Sequence, residues 1–239
     1  MRRLPGTLSK AIGQCCDDLS DKNQAIQIPA FKHLNKALKG HDRTHVFTFA
    51  TVAELPFGDG KRFARSGMAA KILGGWQTNA LVALYSGTPF SVSSSGASLD
   101  ASGNAQRADQ VKQDVEILGG TGRGQSYFDP LAFAPVTQAR FGTAAFNSVR
   151  GPGHANLDLA IVRNFRLGPR YQFQVRLEAL NATNTPHFSN PGSNRSNLIV
   201  NPDGSIASLG GYTEITSTTG TGREGVDERV FRIGLRMRF

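Results

Sequence analysis

The chain has 239 residues, 39% of them hydrophobic, with 27 basic against 18 acidic residues and a formal charge of +9. No run approaches the roughly 18 consecutive apolar residues of a membrane-spanning helix, which excludes a helical membrane protein; a β-barrel, whose apolar residues come at every second position, is not excluded. The basic balance invites a nucleic-acid reading, but no helix-turn-helix, zinc-finger or RNA-recognition pattern accompanies it, and no nucleic-acid partner is expected.

Residues 1–44 read as an N-terminal loop with a partial strand near Leu8-Ser9-Lys10-Ala11-Ile12. Met1-Arg2-Arg3 looks like the start of a signal peptide, yet residues 4–10 contain no apolar core. The expectation is a chain without its own export signal, as if an N-terminal part were missing. Cys15 and Cys16 are adjacent, which suits neither a disulfide framework nor a four-cysteine zinc site, so no role is assigned to them. His41-Asp42-Arg43-Thr44-His45 holds two imidazoles and a carboxylate, but at no recognised ligand spacing, and reads as a loop-to-strand junction.

The first good strand is expected over 45–57, with Phe47, Phe49, Thr51, Ala53 and Leu55 alternating with Val46, Thr48, Ala50 and Val52. Pro56-Phe57-Gly58-Asp59-Gly60 closes it, and 61–75 is a basic connector in which Met68–Leu73 can make a helical turn. A second strand is expected over 76–92, opened by Trp76, which suits the aromatic girdle at a membrane interface as well as a soluble core. Residues 93–154 form a long polar loop, pinned by the aromatic patch Tyr127-Phe128-Asp129-Pro130-Leu131-Ala132-Phe133. Gly120-Thr121-Gly122-Arg123-Gly124 lacks the strand-before, helix-after context of a phosphate loop and belongs to the same loop.

A hairpin follows, with strands over 156–167 and 171–182 around a tight Gly168-Pro169-Arg170 turn. Leu157, Leu159, Ile161, Phe165 and Leu167 share one face. Arg163 falls on that apolar face, which calls for a snorkelling side chain or a bulge that rephases the strand. Tyr171 opens the return strand as a second interface aromatic, and Arg176 lies on its polar side. A further long loop covers 183–228.

The chain ends on its clearest alternation, 230–239. Phe231, Ile233, Leu235, Met237 and Phe239 are apolar, and Arg232, Gly234, Arg236 and Arg238 lie between them. A strand puts these sets on opposite faces, one greasy and one basic. About 9–11 tilted residues span a bilayer, so the length suits a membrane strand. The fold class is therefore all-β, an antiparallel transmembrane β-barrel segment of about five strands within 45–239. Long loops alternate with short turns, so the loops lie outside and the turns, with Phe239, at the periplasmic rim. A terminal aromatic on such a strand resembles the assembly signal of bacterial outer-membrane barrels, with the barrel-assembly machinery as the partner this implies.

The motifs occur in a telling order: His41-Asp42-Arg43-Thr44-His45, Glu54-Leu55-Pro56-Phe57-Gly58, Gly74-Gly75-Trp76-Gln77, Ser86-Gly87-Thr88-Pro89-Phe90, Tyr127-Phe128-Asp129, Gly151-Pro152-Gly153, Arg176-Leu177-Glu178-Ala179-Leu180-Asn181, Asn184, His187-Phe188 and Phe239. Together they resemble the C-terminal part of Oar-like TonB-dependent outer-membrane receptors, over residues 41–239. The resemblance implies a barrel of about 22 strands, an N-terminal plug and a TonB-contacting segment. Neither of these N-terminal parts is in this sequence, so the chain is expected not to transport alone. It implies energy-coupled solute uptake with outer-membrane lipid, the rest of the receptor and TonB as partners. Arg176, Arg232, Arg236 and Arg238 would then line the lumen. No cofactor is expected, and no G-x-S-x-G, H-E-x-x-H or phosphate-cradling motif suggests an enzyme. The alternative is a soluble or surface-exposed β-rich binding module.

Overall fold

The computed structural model describes residues 2–3, 6–14, 26–58, 60–167, 170–220 and 227–239. Cys15, Cys16, Gly168 and Pro169 lie outside the described residues.

Strand forms wherever the period of two is kept. β1 (Arg2–Arg3), β2 (Gly6–Leu8), β3 (His45–Glu54), β4 (Trp76–Tyr85), β5 (His154–Leu167), β6 (Tyr171–Leu180) and β7 (Val230–Arg238) build one antiparallel sheet. β1 and β2 both pair with β3, and β4, β5, β6 and β7 then follow side by side in chain order. This meander is the order of an up-and-down barrel. Its outer edges, β1/β2 and β7, pair with no further strand among the described residues, so the sheet is open.

The strand ends differ from the sequence expectation for local reasons. The strand expected over 45–57 stops at Glu54. One more bond runs from Leu55 N–H to Trp76 O at 2.9 Å, and Pro56 has no donor with which to continue. The strand expected over 76–92 stops at Tyr85, because Pro89–Phe90 leaves the sheet to pair with Val149–Arg150. Gly87 permits that departure: a Cβ there would lie 1.8 Å from Gly151 O. The strand expected over 171–182 ends at Leu180, where Asn181 turns to φ 46°. The next strand begins at His154, and the last ends at Arg238. β1 and β2 extend the partial N-terminal strand well upstream of the expected stretch.

Register carries the faces from strand to strand. Phe49, Val82 and Leu157 align across β3–β5, and Ile161, Leu177 and Ile233 across β5–β7. The opposite face carries Glu54, Gln77, Asn79, Asn164, Gln174, Arg176 and the arginines of β7. Pairing is unbroken through Arg163, which faces Trp76 on one side and Val175 on the other, so no bulge rephases β5.

The two long loops are not structureless. Residues of 86–153 and 187–219 pack into one cap at the end of the sheet away from the tight turn. Its core joins Phe90, Val92, Phe128, Phe133, Leu198 and Tyr212. Phe128 meets Phe133 and Tyr212 edge-on, at 6.1 and 5.4 Å between centroids. Ser93 N–H donates to Ser193 O, and Arg195 N–H donates to Ser93 O, tying the loops together. Buried Arg195 donates from Nε to Phe133 O at 2.7 Å. The aromatic patch expected to pin the first loop is thus the centre of a core shared by both loops.

Candidate functional site

Three features could bear function: the two faces of the sheet, the turn end and the rim beneath the cap.

On β7, Phe231, Ile233, Leu235 and Met237 share one face and Phe239 continues beyond it. All are exposed, Ile233 at 75%. On the other face Arg232 lies opposite Glu178, Arg236 opposite Gln174 and Arg238 opposite Gln172. Arg176 lies opposite Gly234, whose missing side chain leaves it space, and its Nη2 pairs with Glu178 Oε1 at 2.5 Å. Arg236 and Arg238 line a cleft of about 210 Å³ with Asn164, Gln172 and Gln174. The four arginines therefore form one basic wall.

At the turn end, Trp76 and Tyr171 open their strands on the apolar side. Register places Tyr171 four residues beyond the level of Trp76, which aligns with Arg163 while Tyr171 aligns with Leu167. Arg163 folds back over Trp76 and Phe165, with its guanidinium carbon 5.5 and 4.4 Å from the ring centroids. It donates to Lys71 O and Ile72 O, which close α1 (Gly67–Leu73). The misplaced arginine is thus a snorkelling one with a defined target.

At the rim, Asp42 is 1% exposed and accepts from Arg150 Nη2 at 2.6 Å, Ala11 N–H at 2.6 Å and the Thr44 hydroxyl at 3.0 Å. Burial alone would raise its pKa; the hydrogen bonds from Arg150, Ala11 and Thr44 outweigh it and hold the carboxyl below its ordinary value. Arg150 also donates to Gly87 O at 2.9 Å. Asp42 is therefore the staple of three rim segments. Among the described residues, no group of three or more His, Cys, Asp or Glu converges as a metal site.

Nearby, His187 stacks on His154 at 3.7 Å, and Tyr85 stacks on His154 at 5.4 Å. His187 is 2% exposed, and its Nε2 lies 3.0 Å from Ala155 O, which requires the Nε2–H tautomer. Its buried Nδ1 has no hydrogen-bond partner among the described residues. These imidazoles line a pocket of about 260 Å³ with Arg43, Thr88, Ser189 and Asn190.

A family model described as an outer membrane beta barrel domain matches residues 7–229. The chain belongs to this outer membrane beta barrel family. It resides in the outer membrane, its long strands are transmembrane, and the soluble alternative is set aside. No curated protein and no solved structure matches the chain.

Within this outer-membrane barrel, the sequence shows the two alternating sets of β7, which the pairing keeps on opposite faces. It missed the rim cluster. Asp42 and Arg150 are 108 positions apart and belong to different loops, so no local pattern links them. The signal available was the motif order: His41–His45, Ser86–Phe90, Gly151–Gly153 and His187-Phe188 all meet at this one rim.

Proposed function

We propose that the chain is the C-terminal barrel segment of an energy-coupled, TonB-dependent receptor of the Oar-like kind, and that it does not transport alone. The observation that carries this is the open meander with long loops folded as a cap at one end, and the brief 168–170 connection with the 55–75 connector at the other. Small membrane barrels close with about eight strands or more, and in this reading further strands of the receptor join the free edges. The apolar row Phe231, Ile233, Leu235, Met237 and Phe239 meets lipid, and Phe239 marks β7 for the assembly machinery. Arg176, Arg232, Arg236 and Arg238 face the lumen, where they hold plug carboxylates or favour anionic solutes. The cap captures solute, and TonB, reached through the receptor's N-terminal part, moves the plug. The chain supplies positioning and electrostatics and no catalysis.

The test is solute uptake by cells carrying the complete receptor, with and without a proton-motive force. Uptake that survives collapse of that force would overturn energy coupling. Arg232→Ala with Arg236→Ala should lower uptake or loosen the plug; if neither changes, the lumen role is lost.

A further inference from the structure

The connector between β3 and β4 is hard to explain as an element bathed in water. α1 has seven residues and no buried one. A helix this short is marginal on its own, and most helical stability in proteins comes from packing an apolar face. Here the apolar side chains stay largely open: Met68 is 72% exposed, Ile72 and Leu73 are exposed, and so is the preceding Phe63, although its ring meets Phe57.

Its position is fixed from the sheet. Trp76 and Arg163 lie on the apolar face at the turn end of β4 and β5. The Trp76 indole N–H donates to Ile72 O at 3.1 Å, and Arg163 donates to Lys71 O and Ile72 O. Both side chains that hold the end of α1 therefore come from the apolar face. The close approach of Gly58 and Gly74 folds the connector back at its base; a Cβ on Gly58 would lie 2.7 Å from Gly74 Cα. The charge is one-sided. Residues 56–75 carry Lys61, Arg62, Arg65 and Lys71 against the single acid Asp59. Lys61 pairs with Glu54 at 2.5 Å.

We propose that α1 and its flanks are an interfacial anchor, seated among anionic phospholipid headgroups of the leaflet on the short-turn side. Met68, Ile72, Leu73 and Phe63 enter the upper acyl region, and Arg62, Arg65 and Lys71 contact the phosphates. An exposed apolar helix with basic flanks, tied to the apolar face of a membrane sheet, matches an interfacial segment in composition and placement. The inference rests on the reading that this face meets lipid, and its test separates the two.

In a Cys15→Ser, Cys16→Ser background of the complete receptor, Met68→Cys and, separately, Ile233→Cys are labelled with an environment-sensitive fluorophore. Outer-membrane vesicles containing phosphatidylglycerol then receive phospholipids with a quencher near the headgroup or near the chain end. The expected result is quenching of both labels by lipid, with the Met68 label quenched about twofold more by the shallow quencher than by the deep one. Replacing Arg65 and Lys71 by Glu should shift the Met68 label toward water, by about fivefold in its bound-to-free ratio per charge removed. If the Ile233 label meets lipid while the Met68 label is quenched by aqueous iodide, the anchor is overturned and the lipid-facing sheet stands. A Met68 label shielded from both lipid and iodide means that a protein covers the helix, which also overturns it. If both labels are open to iodide, the lipid reading of the whole face fails first.

Discussion

The sheet and the cap place their hydrophobic residues in opposite ways. In the sheet, Phe231, Ile233, Leu235 and Met237 point outward in a regular row. In the cap, Phe128, Phe133 and Tyr212 point inward from segments with no repeating pattern. On the proposed reading the same residue types stabilise by different means: the sheet by transfer into a surrounding apolar phase, the cap by burial within its own core. A mutation should accordingly act on one region and spare the other.

The largest effect should come from Phe128→Ala, which empties the centre of the cap. It should cost about 3–5 kcal/mol, read as faster hydrogen exchange across 90–150 and 187–219 with the strands still protected. Equal loss in both regions would show that sheet and cap are one cooperative unit. Next is Ile233→Arg, which puts a charge on the lipid-facing row and should cost about 2–4 kcal/mol near mid-bilayer. Urea unfolding from lipid vesicles measures it, and the cap should keep its protection. The same change at Val52, an exposed position on the opposite face, should cost much less.

Asp42→Ala removes the staple between the regions and leaves Arg150 with its bonds to the Gly87 carbonyl and the Thr44 hydroxyl but no counter-charge. The cost should be about 3 kcal/mol, read as rim exchange at 41–44 and 149–151. In the wild type the same bond gives an acid dependence. The folded carboxyl titrates below its ordinary value of about 3.9, so its contribution is complete above that pH and fades as pH falls through the lower, folded value. Acid unfolding of the rim in that window should disappear in Asp42→Asn. The smallest effect is expected for Val111→Ser on the outside of the cap, within about 0.5 kcal/mol. A larger change there would reveal a surface the cap keeps covered.

Legibility followed the same division. Strands β3 to β7 were readable because alternation leaves a local trace, and their ends differed most where Pro56, Gly87 or Asn181 bent the chain. The helical turn at Met68–Leu73 was also readable. Of the cap only the aromatic patch around Phe128 was, because the residues that join it, Phe90 and Tyr212, come from distant segments without a repeating pattern. β1 and β2 were too short to show a period. Arg163 looked like an error in the apolar face until its carbonyl partners at the end of α1 were visible.

The distance along the chain between cap partners also orders events in time. The β5–β6 hairpin needs only a tight turn to close, whereas Ser93 meets Ser193, and Asp42 meets Arg150, after loops of about a hundred residues are drawn together. Closing such loops costs entropy before any contact repays it, so local hairpins form ahead of distant pairings. The cap is thus the late-folding part. On the proposed topology its segments reach the far side of the bilayer before they condense, so no globular lobe has to pass through the apolar layer.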